Sequence, residues 1–166
     1  RPAFYRHMDA ANVDLKGFTE EFYHRQCYGE LGSVLDTIKY LRHETSVWLE
    51  VTTLLIPGEN DGAAELERAA DWFAANLGPD VPWHFTAFHP DYKMRDKPGT
   101  PSVTLTHARA IARARGLRYV YTGNVHDHVG SSTWCPSCGG CLIERDWYVL
   151  GAWKLKHNRC AACGCK

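Results

Sequence analysis

Two Cys-x-x-Cys turns stand near the end of the chain, Cys135 with Cys138 and Cys160 with Cys163, and each is followed at once by a glycine, Gly139 and Gly164. Such a turn brings two thiolates to one cation, at about 2.3 Å per Zn–S bond, and the glycine permits the tight backbone bend. Two turns with 21 residues between them complete a tetrahedron, so Cys135, Cys138, Cys160 and Cys163 are expected to hold a structural Zn2+. "LIERDWYVL" and "AWKLK" between them read as two short strands joined at Gly151, a hairpin that carries the second turn back to the first. That is the outline of a zinc ribbon. Cys141 makes "CPSCGGC" a CxxCxxC run, but a ferredoxin-type cluster needs a further cysteine where Arg145 stands. Cys141 and Cys165 are therefore read as small residues beside the site or as substitute ligands, and Cys27 as a packed thiol on an amphipathic helix.

A chain of 166 residues, 45% apolar with six Trp, can bury one medium core and a small appendage. Nineteen basic side chains balance nineteen acidic ones, so no net field draws in nucleic acid or an anionic membrane. No apolar run reaches the roughly 18 residues of a spanning helix, and "RPAFYRHMDA" lacks the apolar centre of a signal peptide. The expectation is a cytoplasmic protein that takes neither nucleic acid nor membrane as partner. Seven cysteines, grouped in CxxC pairs, suit metal ligation better than a disulfide framework.

Upstream of residue 123 the pattern alternates between strand and helix. "AANVDLKG" (10–17) is a short strand, after which Thr19 caps a helix with Glu20 and Glu21 in its first turn. Val34, Leu35, Ile38 and Leu41 form a helical stripe, and 47–56 is long and β-branched enough for a buried strand ended by Pro57-Gly58. Leu66, Ala69, Ala70, Phe73 and Leu77 mark the next helix, stopped by Gly78 and Pro79. "WHFTAF" (83–88), "VTLTHARAIARARG" and "LRYVYTG" complete the series. Strands separated by helices of 10 to 17 residues specify parallel pairing with right-handed crossovers. The fold class expected is α/β: a partial (βα) barrel of parallel strands over 1–130, then a zinc ribbon over 131–166. Four units with little lead-in before the first strand and no initiator Met suggest half of an eight-unit barrel.

Ligands bind beyond the carboxyl ends of parallel strands, so the loops there carry the remaining candidates. Asp14 and Lys16 follow the first strand; "IPGENDG" follows the second; His89, Asp91, Tyr92 and Lys93 follow the third; His126, Asp127 and His128 follow the fourth. All are expected at one rim. His126-x-His128 could form a second metal centre, although no third ligand is dictated by spacing and solvated loop residues explain the pattern equally.

"DAANVDLKGF", "VWLEVTTLLIPGEND", "HFTAFHPDYKM", "RYVYTGNVHD", "SSTWCPSCG" and "LIERD" together resemble the C-terminal half of radical SAM enzymes of the AmmeMemoRadiSam type, relatives of pyruvate formate-lyase activating enzymes. The resemblance runs in order through essentially the whole chain. It implies a partial barrel, S-adenosylmethionine and a [4Fe-4S] cluster whose CxxxCxxC loop lies in an N-terminal half; no CxxxCxxC occurs in these 166 residues. It also implies that Asp14 and Lys16, matching the activase "DLK" strand end, face the methionyl group or ribose of the cofactor, and that His89 lies near the adenine. An acceptor and a cation two residues apart on a strand share a face, as a zwitterionic sulfonium ligand requires, and an imidazole suits a purine edge. Equally, the pair could be a same-face surface ion pair. The family's basic residue on the second strand is matched here only by Glu50, which stays unassigned.

The implied role is the C-terminal part of a radical SAM enzyme, inactive without its cluster-bearing half, with a protein or small-molecule substrate. The alternatives are a non-catalytic protein-interaction module with a structural ribbon, and an adenosine-type small-molecule binder without redox chemistry.

Overall fold

The computed structural model describes residues 1–166. After α1 (Pro2–Tyr5), four strands alternate with helices: β1 (Ala10–Asp14), α2 (Glu20–Phe22) running into a π turn over Tyr23–Cys27, α3 (Leu31–Glu44), β2 (Trp48–Leu55), α4 (Ala63–Leu77), β3 (Trp83–Ala87), α5 (Ser102–Ala114) and β4 (Val120–Gly123). Thr19 caps α2 as expected, its Oγ1 accepting from the Phe22 N–H at 3.1 Å. The four strands form one sheet in the order β1-β2-β3-β4, every pair parallel. No helix is long and apolar enough to cross a membrane.

Sequential order matters because each crossover then steps the same way, and helices α3, α4 and α5 all pack on one face of the sheet. Leu49, Val51, Leu55, Trp83, Phe85 and Val120 point to that side and share a core with Ile38, Leu41, Phe73, Leu105 and Ile111. Trp83 stacks on Phe73 with ring centroids 4.7 Å apart and hands its indole N–H to Thr53 Oγ1 at 3.0 Å, so its one polar atom is satisfied. A doubly wound sheet reverses strand order and clothes both faces; this one is wound as a wall, with no helix of the α/β part over its other face.

The rest of the chain is the short α6 (His128–Ser131) and a cysteine-bearing β module. β5 (Thr133–Trp134), β6 (Cys141–Asp146) and β7 (Val149–Trp153) make an antiparallel sheet, and β8 (Leu155–Lys156) pairs with β9 (Arg159–Cys160). His157 and Asn158, both with positive φ, form the two-residue turn of that last hairpin.

Two expectations are corrected. The β6–β7 turn falls at Trp147–Tyr148, with Trp147 at φ 55°, whereas Gly151 lies inside β7. A Cβ at Gly151 would come within 2.5 Å of the Glu144 carboxylate, so the glycine is there for a close approach across the hairpin and not for a bend. Cys27 is exposed: the π turn widens the helix and ends it at Tyr28 in the left-handed region (φ 52°), so the helical period that would bury the thiol does not continue.

Candidate metal centre and sheet-face site

The two cysteine turns have the same backbone construction. The Gly139 N–H donates to the Cys135 carbonyl (3.0 Å) and the Gly164 N–H to that of Cys160 (2.8 Å), with both glycines near φ 70° (71° and 74°). The Cys135 N–H donates to the Gly140 carbonyl and the Cys160 N–H to that of Cys165, each at 2.8 Å. Cys165 thus takes the place that Gly140 has in the first turn, and Cys141 opens β6; neither belongs to the cysteine quartet.

Sγ of Cys135 lies 3.6 Å from that of Cys163, Sγ of Cys138 lies 3.8 Å from that of Cys160, and all four sulfurs are within 4.8 Å of one another. A tetrahedron of 2.3 Å bonds has edges of about 3.8 Å, so the four thiols fit a single ion of that bond length. Backbone amides prepare the charge. The N–H of Cys138, helped by that of Ser137, pulls Cys135 down to about 6 against the opposing effect of burial. The N–H of Cys163, followed by that of Ala162, lowers Cys160 likewise. At Cys138 the Gly140 N–H draws the thiol down, but the crowding sulfurs of Cys135, Cys163 and Cys160 outweigh it and push it up to about 11. Four sulfurs this close would repel one another as thiolates unless a cation stood among them, and the quartet has the geometry that could hold one metal ion.

The uncovered sheet face is polar. Register places Asp14, Thr52, His84 and Tyr121 in one row across the four strands, with Asn12 and Glu50 in the row beneath. Lys16 Nζ and Asp14 Oδ2 pair at 2.9 Å just past β1. Glu50 is shared: its Oε1 accepts from the Trp48 indole N–H (3.0 Å) and its Oε2 faces His84 Nε2 (2.8 Å). The His84 ring stacks on Tyr121, 5.1 Å between centroids, and the Tyr121 hydroxyl meets Thr133 Oγ1 at 3.0 Å. Asp14 and Lys16 were candidates from the sequence and Glu50 was left unassigned, but Thr52, His84 and Tyr121 were not singled out; the available signal was the period-two polarity of Glu50-x-Thr52 and His84-x-Thr86.

The expected rim is only partly assembled. His89 is exposed, Asp91 approaches Arg95 at 4.0 Å, and Lys93 lies over the Tyr92 ring. His126 and His128 do not converge on a common point with other ligands; each reaches back to the β6–β7 hairpin. Nδ1 of His126 meets Asp146 Oδ1 at 3.2 Å, and its ring stacks on Trp147, while Nε2 of His128 meets Glu144 Oε1 at 2.7 Å. Asp127 is structural: one oxygen accepts from the Gly130 N–H (3.0 Å) and the other from Thr122 Oγ1 (2.9 Å). Deeper in the loops, Glu59 gathers Arg25, Gln26 and Lys97, and Lys97 above all holds its carboxyl below the usual range.

Glu144 gives the hairpin a pH signature. The Ala152 N–H (2.9 Å) first, and His128 second, hold its carboxyl below the usual carboxylate range. A depressed carboxylate contributes fully above its unfolded value, about 4.3, and loses that contribution as pH falls through the lower folded one. In an NMR titration, the Glu144 side-chain carboxyl carbon is expected to make its main transition below about 4.3. A transition centred near neutrality would refute this account.

No protein-family model matches the chain. It is 43% identical over 161 residues to the uncharacterized protein MJ0808 of Methanocaldococcus jannaschii, which covers 95% of this chain and 47% of that protein, so the chain spans about half the length of this curated relative. Among solved structures it is similar to a domain of pyruvate-formate lyase-activating enzyme from Bacteroides vulgatus, with a TM-score of 0.62 and 16% identity over 73% of this chain and 71% of that one. At that identity the likeness shows the fold.

Proposed function

We propose that the chain is the C-terminal part of a radical S-adenosylmethionine enzyme of the AmmeMemoRadiSam type, with residues 1–130 as half of a (βα) barrel and residues 131–166 as a zinc ribbon. The observation that carries this reading is the singly wound sheet, whose polar row Asp14, Thr52, His84 and Tyr121 lies on the face a closed barrel would turn inward. The fold shared with a domain of an activating enzyme supports it.

Asp14 and Lys16 fit a zwitterionic ligand: a carboxylate and an ammonium stand 2.9 Å apart and half-exposed at the strand end, so each can exchange its partner for the opposite charge on the ligand. Their carboxylate would take the ligand's ammonium or ribose hydroxyls, the Lys16 ammonium its carboxylate, and His89 the purine edge. Bound together, S-adenosylmethionine and a [4Fe-4S] cluster supply reductive generation of a 5′-deoxyadenosyl radical. No residues here fit the cluster, because the cysteine quartet is spaced for one ion and no CxxxCxxC run is present. The cluster would come from an N-terminal partner half, and the substrate from the protein or small-molecule classes. For the quartet, tetrahedral thiolate donors suit Zn2+.

The test is S-adenosylmethionine binding by the native-length protein, purified anaerobically, measured by calorimetry. Asp14→Asn and Lys16→Ala are each expected to weaken it about tenfold, or ~1.4 kcal/mol. Unchanged affinity in both variants would remove the cofactor assignment.

A second reading, a protein-interaction module, is favoured by β7. It is an outer strand of its sheet, every residue in it is exposed, and Val149, Leu150 and Trp153 offer an apolar edge of the kind extended partners pair with. If the native-length protein binds no S-adenosylmethionine at all, this reading takes over.

A further inference from the structure

A cleft of about 470 Å3 lies between the lower part of the uncovered sheet face and the β6–β7 hairpin, within the usual range for small-molecule sites. Asp14, Lys16 and His89 do not line it, so it is separate from the cofactor residues proposed above. Its flat walls are aromatic, from Trp48, Tyr119, Tyr121 and Trp147, and its other charged or titratable lining groups are Glu50, Asp80, His84 and Arg145.

Arg145 supplies the cation. One of its terminal nitrogens, Nη1, is anchored to Thr133 Oγ1 (2.7 Å) and the Ser131 carbonyl (3.4 Å), and the guanidinium carbon lies 6.0 Å from the centroid of the Tyr121 ring. The other charged groups of the lining are matched, Asp80 by Arg118 at 3.0 Å and Glu50 by His84 at 2.8 Å. Arg145 has no carboxylate partner, and its Nε and Nη2 are free. A guanidinium fixed at one corner, with the remaining two donors open, is the geometry that takes a carboxylate in bidentate fashion.

The Glu50–His84 pair supplies the other pole. Both Glu50 oxygens are engaged, by Trp48 and by His84 Nε2, which leaves His84 Nδ1 as the ring nitrogen without a protein partner. Stacking on Tyr121 fixes the ring plane. The same phenol ring therefore touches both the acceptor and the cation.

We propose that this cleft binds small planar carboxylates that carry a hydrogen-bond donor at their far end, with Arg145 as the carboxylate anchor, the Glu50–His84 pair as acceptor and the aromatic walls enclosing the flat body. The argument uses no cofactor and stands whether or not the chain belongs to a radical enzyme.

The probe is 4-hydroxybenzoate, titrated into the metal-loaded protein by calorimetry and two-dimensional NMR. Saturable binding is expected, with shifts on Tyr121 and the Trp48 and Trp147 indoles. The neutral isostere 4-hydroxybenzamide should bind at least about tenfold more weakly, since it removes a charge-assisted pair. Arg145→Gln should cost a similar factor and Arg145→Lys less, with unchanged metal content as the folding control. Should Arg145→Gln fail to fold, the acid and amide comparison on the unaltered protein still decides. Equal affinity for acid and amide, an absence of saturation at millimolar probe, or wild-type affinity in a folded Arg145→Gln protein would each overturn the proposal.

Discussion

Chelating the metal proposed for the cysteine quartet, or replacing Cys160 with Ser, is expected to unfold residues 134–166 while the parallel sheet and its helices remain. The difference follows from what each part buries. The α/β part has a continuous core of 27 buried residues, whereas the cysteine module has only Cys135, Leu142 and Cys160, and two of these three belong to the cysteine quartet. A structural Zn2+ site contributes roughly 10–16 kcal/mol of apparent binding free energy at neutral pH, and in so small a module that is folding free energy. The contacts that tie the hairpin to the neighbouring loop are exposed or half-exposed pairs, His128 with Glu144 and His126 with Asp146, and a few hydrogen bonds between Ser131, Ser132, Thr133 and Arg145, with no shared apolar core beneath them. They cannot substitute. Helical circular dichroism should therefore persist after chelation, while amide protection is lost from Trp134 onward and free thiols become reactive. The loss should come more readily as pH falls, because thiols such as Cys138, pushed up by neighbouring sulfurs, must release protons to bind the ion and take them back when it leaves. Protection that survives chelation would mean the module folds on its own packing.

The cysteine quartet was legible because its information is local: each turn declares itself by two sulfurs and a glycine, and only one closure of the chain brings the two turns together. The parallel wall was legible for a related reason, since strand and helix periods alternate without interruption from residue 10 to 123, and Thr19, Pro57 and Gly78 mark boundaries that the structure respects. What the sequence hid is long-range. His126 and His128 look like a pair on paper, but carboxylates 16 and 20 residues away claim them one by one. Glu50 and His84 are 34 residues apart and meet only because the β2–β3 register sets Thr52 against His84, which leaves Glu50 one diagonal step away. Glycine carries two meanings, bend and close approach, and Gly151 shows that spacing alone does not separate them. The π turn at Tyr23–Cys27 has no periodic signature, so the exposure of Cys27 could not be read in advance.

Asn60→Ala is expected to destabilise the α/β part by about 3–5 kcal/mol, far beyond the usual effect of a loop substitution, because three backbone groups lose their partner at once. Asn60 is only 2% exposed although it sits in a loop. Its Oδ1 accepts from the Ile56 N–H at 2.7 Å, while its Nδ2 donates to the Leu54 carbonyl at 2.8 Å and the Lys16 carbonyl at 2.6 Å, stitching the end of β1 to the end of β2. Lys16 is pinned from the other side as well, its N–H donating to the Tyr23 hydroxyl at 3.0 Å; burial is the main reason that phenol is pushed up to about 12. Asn60→Asp separates the contributions. It keeps an acceptor for Ile56 but turns an oxygen toward two carbonyls, so it should recover little of the loss. In urea unfolding the midpoint should fall with an unchanged slope for both variants, and a shift of less than about 1 kcal/mol in Asn60→Ala would show that water replaces all three bonds. Because the same side chain fixes the Lys16 backbone, the substitution should also blur the Asp14–Lys16 pair, so any affinity that depends on that pair should fall even at temperatures where the variant stays folded.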